Sequence, residues 1–381
     1  MGEAGENSNV WFTDAISLFE NNGIGWSWWP MKRIETIVSP FSIYFSEGYK
    51  NVLKYWRNEG PEPTEDEAYE WMMELAVNAN SANCQYQKDG HDSQLRQVNK
   101  ATTSPFATHE IPGVLHMSDY DLGQLHEAYF DVDHANYAQS TGEFQAWNSG
   151  WRYRNDGVDI EDSQDQVNSN GYHVGFVNKG EWMNYTVQVE STASYTARVR
   201  VASQVSGGHF HLAVNGEDIT PTQVVDATGS WQAFTFLDVQ DVILEEGEQV
   251  VTFHVDNATS FNISSIEFVV VGSIDPLPFL AINGQTRQDE KSIEVAVNLP
   301  VSPGSLEGSE GLFAVTVNGE EESITSVSLE EDRPRTLVLS MGNPKVYTDD
   351  IKVSYAGTAI TSLSGKTLMP FENLAIRNTL R

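Results

Sequence analysis

Three side chains in the middle of the sequence have the chemistry needed to bind a sugar ring. A pyranose presents C–H bonds on its face and hydroxyl groups around its rim, so a binding site needs flat aromatic rings and hydrogen-bonding amides. Tyr172 and Trp231 provide flat rings, and the amide of Asn262 both donates and accepts hydrogen bonds. Tyr172 follows an Asn-Gly pair at a loop-to-strand junction, and Trp231 ends a Thr-Gly-Ser-Trp turn that directs its ring outward. This set predicts a carbohydrate-binding site.

The neighbouring aromatic residues allow more than one interpretation. Trp147, Trp151 and Tyr153 lie in a segment too rich in Gly, Asn and Ser for a strand, where they either extend the aromatic platform or pack under the loop. The alternative for Trp231 is a buried position in a sandwich core, and the alternative for Asn262 is to cap a turn.

Short segments with period-two alternation surround these residues and predict an antiparallel β-sandwich. Trp182 and Tyr185 fall on opposite faces of one such strand, which favours a structural role for both. Loops on a rigid scaffold of this kind are where binding residues gather. The alternating segments are 157–161, 170–176, 180–189, 195–202, 209–216 and 249–255.

Sequence blocks across residues 111–270 resemble a family 6 carbohydrate-binding module. They are, in order, IPGVLHMSDYDLG, AYFDVD, RNDGVDI, GYHVGF, GEWMNYTV, RVRVAS, ATGSWQAF and SFNISSIEF. The resemblance implies that Tyr172 and Trp231 hold a sugar ring between them and that Asn262 hydrogen-bonds it. It also implies a jelly-roll sandwich and a ligand drawn from several β-linked polymers.

Many modules of this family hold a structural calcium ion through two glutamates of the opening block. His116 and Ser118 occupy those two positions here, and Ser264-Ser265 replaces an acidic residue near the last strand. Calcium requires about six to eight oxygen ligands, largely from carboxylates. We therefore predict no cofactor and no metal held in the usual way. A different calcium site would draw on Asp119, Asp121, Asp131 and Asp133.

The start of the chain carries a second resemblance. A Gly-Glu-Ala-Gly sequence containing Glu3 precedes a helical pattern over residues 10–19 and the tryptophan-rich segment 23–30. Strand end, helix and strand predict a βαβ unit, and in a (β/α)8 barrel catalytic groups lie at strand C-termini. The segment resembles the end of a glycoside hydrolase family 5 barrel. That resemblance implies that Glu3 is the nucleophile and that Trp26 or Trp28 floors a sugar subsite.

Catalysis by a retaining mechanism needs more than the single carboxyl group that the resemblance assigns to this chain. A retaining glycosidase needs two carboxyl groups about 5–5.5 Å apart, one attacking and one protonating the leaving oxygen. The acid/base glutamate of that family, in an Asn-Glu pair on the fourth strand, has no counterpart because most of the barrel is absent. The sequence therefore leaves open whether the chain is an enzyme. The alternative for Glu3 is a terminal carboxylate without a catalytic role.

Two further amphipathic helices are predicted over residues 41–58 and 64–97. The second begins with Thr64 ahead of Glu67, which is a capping box. Residues 101–112 read as a linker.

Residues beyond 273 predict a second sandwich. Segment 274–278 contains two prolines and predicts a stiff linker. The sequences SIEVAVNLP, LFAVTVNG, ITSVSLEE, RTLVLSM, DIKVSYAG and NLAIRN then alternate at period two. They predict an immunoglobulin-like β-sandwich that resembles the spacer domains of secreted polysaccharidases. The absence of clustered aromatics favours a spacer role.

The charge balance restricts the partners. The formal net charge is −32, from 22 Lys+Arg and 54 Asp+Glu, so nucleic acid, anionic lipid and charged polysaccharides are disfavoured and a neutral polysaccharide is expected. The single cysteine, Cys84, excludes an intrachain disulfide. No apolar run reaches the length of about 18 residues that a membrane span needs, and no signal peptide is visible.

These observations predict a multidomain, mainly β protein. The expected domains are a truncated (β/α)8-barrel C-terminal segment (1–60), a helical extension and linker (61–110), the jelly-roll sugar-binding module (111–272) and the immunoglobulin-like sandwich (273–381). We expect a monomer that binds a neutral β-linked polysaccharide as the C-terminal part of a modular secreted glycoside hydrolase, with the extracellular location inferred from the substrate. The alternatives are a retaining endo-glycosidase that uses Glu3 once the missing barrel is supplied, and a structural spacer or adhesion protein.

Overall fold

The computed structural model describes residues 7–132, 148–275, 277–330 and 332–380. Three residues singled out by the sequence, Glu3, Asp133 and Trp147, lie outside these ranges. The chain divides into two compact units, the first made of residues 1–107 and 116–177 and the second of residues 108–115 and 178–381. The mainly β composition predicted from the sequence is confirmed.

The α-helices of the described residues all precede residue 100, and strands predominate after it. The helices are α1 (Asn9–Asn21), α2 (Glu47–Trp56), α3 (Glu65–Asn78) and α4 (Lys88–Asn99). The strands up to residue 202 are β1 (Lys32–Ile34), β2 (Phe41–Ile43), β3 (Gln85–Tyr86), β4 (His109–Ile111), β5 (Gly113–His116), β6 (Tyr129–Phe130), β7 (Ile160–Asp162), β8 (Tyr172–Val174), β9 (Trp182–Val189) and β10 (Ala193–Ala202). The later strands are β11 (Gly208–Val214), β12 (Glu217–Asp218), β13 (Gln223–Val225), β14 (Thr235–Leu244), β15 (Gly247–Ala258), β16 (Asn262–Gly272), β17 (Ala281–Thr286), β18 (Ser292–Val297), β19 (Phe313–Val317), β20 (Glu320–Glu322), β21 (Ile324–Glu330), β22 (Arg333–Met341), β23 (Ile351–Tyr355) and β24 (Phe371–Ala375).

The first unit begins with the helix that the sequence pattern predicts. Ser8 caps α1 by accepting a hydrogen bond from the Trp11 backbone N–H. The predicted strand over residues 23–30 is wrong, because this segment adopts neither strand nor helix. A strand needs a hydrogen-bonded neighbour, and the first such pair after α1 is β1 beside β2 in parallel orientation.

The remaining helices differ from the predicted pattern in their bounds. The capping box of α3 is confirmed, with the Thr64 backbone N–H donating to Glu67 at 2.9 Å and the Glu67 N–H donating to Thr64 Oγ1 at 3.3 Å. The helix predicted over residues 64–97 is divided into α3 and α4. The Asn80 side chain accepts a hydrogen bond from the Ala82 N–H at 3.0 Å, which stabilises a turn after α3. Strand β3 then pairs with β2 before α4 begins.

The second unit contains the central sandwich, formed by β4 and β9–β16. One sheet has the order β12-β11-β15-β9-β4 with β13 beside β11, and the facing sheet contains β14-β10-β16. Four of the predicted alternating segments, 180–189, 195–202, 209–216 and 249–255, fall on its strands β9, β10, β11 and β15, and their inward side chains form the core. Tyr185, Tyr195, Phe210, Phe253 and Phe268 are buried there. The predicted segments 157–161 and 170–176 fall instead on β7 and β8 of the first unit, where β7 begins only at Ile160. The prediction that Tyr185 is structural agrees with its full burial.

The C-terminal sandwich, formed by β17–β24, belongs to the same unit. Its sheets have the orders β17-β18-β22-β21 and β20-β19-β23-β24. Ile293, Val295, Leu337 and Val353 belong to the shared core, and Ile243 of β14 packs into the same apolar cluster. The two sandwiches are therefore joined by packing as well as by the connecting segment. Among the described residues, no helix has the length and apolar character required to cross a membrane.

Candidate functional site

A stacked pair of tyrosines lies in the first unit. The ring centroids of Tyr153 and Tyr172 are 4.5 Å apart, and the ring planes are inclined by 29°. Phe106 contacts the Tyr153 ring edge-on, with a centroid separation of 5.6 Å. Tyr172 is half-buried at the start of β8. Tyr153 is thus packed between Phe106 and Tyr172, so it supports the Tyr172 ring from one side.

One carboxylate connects both members of this pair. The Tyr153 hydroxyl donates to Asp119 Oδ1 at 2.7 Å, and the Asn170 amide donates to the same oxygen at 3.3 Å. The Asn170 Oδ1 atom in turn accepts the Tyr172 backbone N–H at 3.2 Å. Burial, and then the Asp119 carboxylate, raises the pKa of Tyr153, so its hydroxyl remains a donor. The sequence makes Asp119 a candidate ligand of a different calcium site. In the structure its carboxylate accepts hydrogen bonds from Tyr153 and Asn170.

The segment that carries Tyr153, residues 148–157, forms what we call the aromatic loop. Trp151 is 40% exposed in it, whereas Tyr153 is half-buried. Both residues have positive φ angles, 51° for Trp151 and 63° for Tyr153. Bulky side chains rarely adopt this conformation, and each such residue costs about 1–3 kcal/mol that the surrounding structure must offset. The loop therefore depends on contacts outside itself.

The anchor of the aromatic loop is a buried polar cluster that the sequence did not predict. Arg154 pairs with Asp156 at 2.8 Å, and both side chains are almost fully buried. The Asn9 amide donates to Asp156 at 2.9 Å and to Asp89 at 2.8 Å. Burial, and then the neighbouring Asp156 carboxylate, raises the pKa of Asp89 to about 6. The sequence carries no signal for this cluster because Asn9 and Asp89 are far from Asp156 along the chain, by 147 residues in the case of Asn9.

Trp231 and Asn262 lie together in the second unit. Trp231 is 39% exposed, and its backbone carbonyl accepts a hydrogen bond from the Asn262 amide at 2.8 Å. The Asn262 side chain is buried, with 4% exposure. Thr228 fixes the other side of the turn, because its backbone N–H donates to the Ser203 carbonyl at 2.7 Å. The Asn262 amide therefore holds the backbone of the turn that presents Trp231.

The two tryptophans assigned to a barrel subsite lie beside α1. The ring of Trp28 contacts Phe12 edge-on at a centroid distance of 3.8 Å, and Trp28 packs on the small apolar cluster of Phe12 and Val38. Trp26 contacts Trp28 at 6.5 Å and donates its indole N–H to Glu20 at 3.1 Å. Both rings are half-buried, and their predicted sugar contacts stay predictions.

Metal binding has no candidate among the residues that the structure describes. In that part of the chain, no group of three or more His, Cys, Asp or Glu side chains is arranged to hold a metal ion. Asp121 and Asp131 are buried, and Asp119 serves the tyrosine pair.

A second charged cluster absent from the sequence predictions lies between the central and C-terminal sandwiches. His211 contacts Asp218 at 3.0 Å and Asp256 at 2.9 Å, and its ring stacks on His254 with a centroid distance of 4.6 Å. Arg377 donates to both carboxylates, at 2.7 Å to Asp218 and 2.6 Å to Asp256. This cluster is an attachment between two sandwiches.

Comparison with known proteins identifies the central part of the chain. The family model described as carbohydrate binding module (family 6) matches residues 151–270. Residues 151–270 carry a family 6 carbohydrate-binding module. They are called the module below, and the match lies within the predicted span 111–272. The glycosidase barrel and the immunoglobulin-like class predicted for the flanking regions stay predictions.

Individual proteins similar to this chain each cover less than half of it. The clotting factor G alpha subunit of Tachypleus tridentatus is 30% identical over 152 residues, which are 39% of this chain. The matched region is 21% of that protein, so this chain spans about a fifth of its length. The carbohydrate-binding module of Cellvibrio mixtus lichenase 5A, solved with cellotriose, is 29% identical, covering 30% of this chain and 88% of that one at a TM-score of 0.27. A β-1,3-glucan-binding family 6 module of Bacillus halodurans is 20% identical, covering 42% and 98% at a TM-score of 0.30.

Proposed function

We propose that the module binds a neutral β-linked polysaccharide and that Tyr172 and Trp231 each supply an aromatic face to the glycan. The observation that carries this proposal is the half-buried Tyr172 ring, which Tyr153 supports at 4.5 Å. A ring fixed on one side loses little conformational freedom when a sugar stacks on it, which reduces the entropic cost of binding. Trp231 is partly exposed on a turn that is hydrogen-bonded at both ends, as a contact residue should be.

The neutral character of the ligand follows from charge. A net charge of −32 surrounds the protein with a negative field, and a uronic or sulfated polymer would be repelled by it. Hydroxyl groups of a neutral glycan carry no such penalty, and stacking on aromatic rings does not require charge. A salt-independent affinity is therefore the expected signature of this ligand class.

The wider setting belongs to the same proposal. The polymer is too large to enter a cell, so we place the protein outside it, as the C-terminal part of a modular glycoside hydrolase. The module would then keep a catalytic partner close to its substrate and raise the effective concentration of the reaction. Glu3, the expected nucleophile, lies outside the described residues, so catalysis rests on the sequence resemblance alone.

Affinity electrophoresis tests the binding proposal. The chain is run in gels containing xylan, β-glucan, agarose or mannan, and we expect retardation by at least one of them. Tyr172→Ala and Trp231→Ala should each remove most of the retardation. Trp56→Ala, which removes a tryptophan that is 61% exposed on α2, is the matched control and should migrate as the parent chain does. Retardation that survives both module substitutions would refute the assignment of these contact residues.

A further inference from the structure

Asn155 directs its polar groups to the N-terminal helical segment, residues 7–99. Its backbone N–H donates to Asp89 Oδ2 at 2.6 Å, and its carbonyl accepts the Asn9 backbone N–H at 3.1 Å. Its side-chain amide donates to the Asn7 carbonyl at 2.8 Å and to Asn9 Oδ1 at 3.0 Å. Four hydrogen bonds thus join one residue of the aromatic loop to α1, α4 and the residues just before α1.

The hydrogen bonds of Asn155 to Asn9 and Asp89 are shielded from water. Asn155 is 0% exposed, and Asn9 and Asp89 are each 1% exposed. A buried polar group that loses its partner cannot recover the bond from solvent, so such contacts hold their geometry strongly. The N-terminal helical segment, which the sequence assigns to a barrel remnant and a helical extension, therefore supports the aromatic loop through Asn9 and Asp89.

Asn155 lies two residues after Tyr153, one member of the tyrosine pair. Arg154, between Tyr153 and Asn155, is held by its ion pair with Asp156, and the Asp156 carboxylate is held by Asn9. The positive φ of Tyr153 would relax if the following residues were released. A shift of Tyr153 would remove the support from Tyr172, because the two rings are in direct stacking contact.

We propose that Asn9 and Asp89 are positioning residues for the proposed sugar-binding site at Tyr172. The N-terminal helical segment, although it lies outside the module, would then be needed for full binding by the module. Asn9 and Asp89 touch no sugar themselves. They fix Asn155, which fixes Tyr153, which supports the Tyr172 ring. The inference rests on the proposed function, since it assigns a role at the site formed by Tyr172.

Paired substitutions at Asp89 separate a positioning role from general stability. Asp89→Ala removes the acceptor for Asn9 and Asn155, whereas Asp89→Asn keeps a carbonyl oxygen at that place. Binding is measured as the dissociation constant for the polysaccharide, among xylan, β-glucan, agarose and mannan, that retards the parent chain most. We expect Asp89→Ala to bind about tenfold more weakly and Asp89→Asn to recover binding to within about twofold. Asp66→Ala, an exposed aspartate of α3, is the matched control.

The control measurements keep the outcomes distinct. Far-UV circular dichroism confirms that each variant is folded; if Asp89→Ala is not, Asn9→Ala takes its place, with an expected weakening of about threefold because the backbone contact to Asn155 remains. Parent-like affinity in the folded Asp89→Ala or Asn9→Ala chain, together with loss of binding in Tyr172→Ala, would overturn the positioning role and leave the proposed function standing. Unchanged binding in Tyr172→Ala would instead remove the proposed function.

Discussion

The guanidinium of Arg377 donates to Asp256 Oδ1 at 2.6 Å, and this contact joins the last residues of the C-terminal sandwich to β15 of the central sandwich. The same side chain donates to Asp218 on β12 and to Gln285 on β17. One arginine therefore bridges elements of both sandwiches.

Removal of this arginine should destabilise the second unit. In Arg377→Ala, the carboxylates of Asp218 and Asp256 stay largely buried and lose the guanidinium that they share, and a broken ion pair of this kind costs about 3 kcal/mol. Urea unfolding measures the loss. Lys352→Ala, which removes an exposed ion pair with Asp350, should cost less than about 1 kcal/mol. Equal effects of the two substitutions would contradict a structural role for Arg377.

The stability of the second unit should fall at alkaline pH through His211. Burial alone would lower the pKa of His211, but the charge of Asp218 and hydrogen bonds to Asp218 and Asp256 outweigh it and raise the pKa above the ordinary 6.5. Arg377 opposes this rise, and the neighbouring His254 stays neutral because burial and the His211 charge lower its pKa to about 3. The folded state binds the proton more tightly than the unfolded chain, so the stabilisation is complete below pH 6.5 and is lost as pH rises through the raised pKa.

This dependence is checked by measuring the free energy of unfolding between about pH 5.5 and 8.5, in steps of about half a pH unit. His211→Gln should flatten the decline, whereas the exposed His91→Gln should keep it. At the acid end, Asp218 and Asp256 have lowered pKa values, so their stabilisation is present above pH 3.8 and is lost as pH falls. A parent-like decline in His211→Gln would assign the dependence to other groups.

Asn262 should affect binding through the backbone of the Trp231 turn. In Asn262→Ala, the Trp231 carbonyl loses its amide donor, so the turn is less well fixed and the ring is held less firmly. We expect a loss of about 1 kcal/mol in binding free energy, smaller than that for Trp231→Ala. Isothermal titration with the polysaccharide that retards the parent chain most measures the binding free energy of both variants. Asn99→Ala, which changes an exposed residue of α4, serves as control. A larger loss in Asn262→Ala than in Trp231→Ala would indicate a direct sugar contact by Asn262.

Two substitutions at Tyr153 should distinguish the effect of its ring stacking on Tyr172 from the effect of its hydrogen bond to Asp119. Tyr153→Phe loses the hydroxyl bond to Asp119 but keeps the ring that supports Tyr172, so stability should fall by about 1 kcal/mol with little change in affinity. Tyr153→Ala removes the support and should weaken binding severalfold. Thermal unfolding and titration are measured for both variants, with the 67% exposed Tyr69→Phe as control. Equal affinity of the Phe and Ala variants would show that the Tyr153 ring does not support the site.

Sequence patterns predicted the local elements with particular success where one face of an element is buried. Period-two alternation located β9, β10, β11 and β15, because side chains on one face of each strand must enter the core. The capping box of α3 was also predicted, since both of its partners lie within one turn. The strand predicted for segment 23–30 is absent, because strand formation depends on a neighbour that residue order does not specify.

The sequence by itself determined several strands of the central sandwich and the carbohydrate-binding family that residues 151–270 match. Only the tertiary structure brought Asn155 to Asn9, 146 residues away, and Arg377 to His211, 166 residues away. Local patterns record which side of an element is buried, because that property repeats with the period of the element. Partners for buried charges and amides are chosen by the packing of distant elements, and no periodicity records that choice.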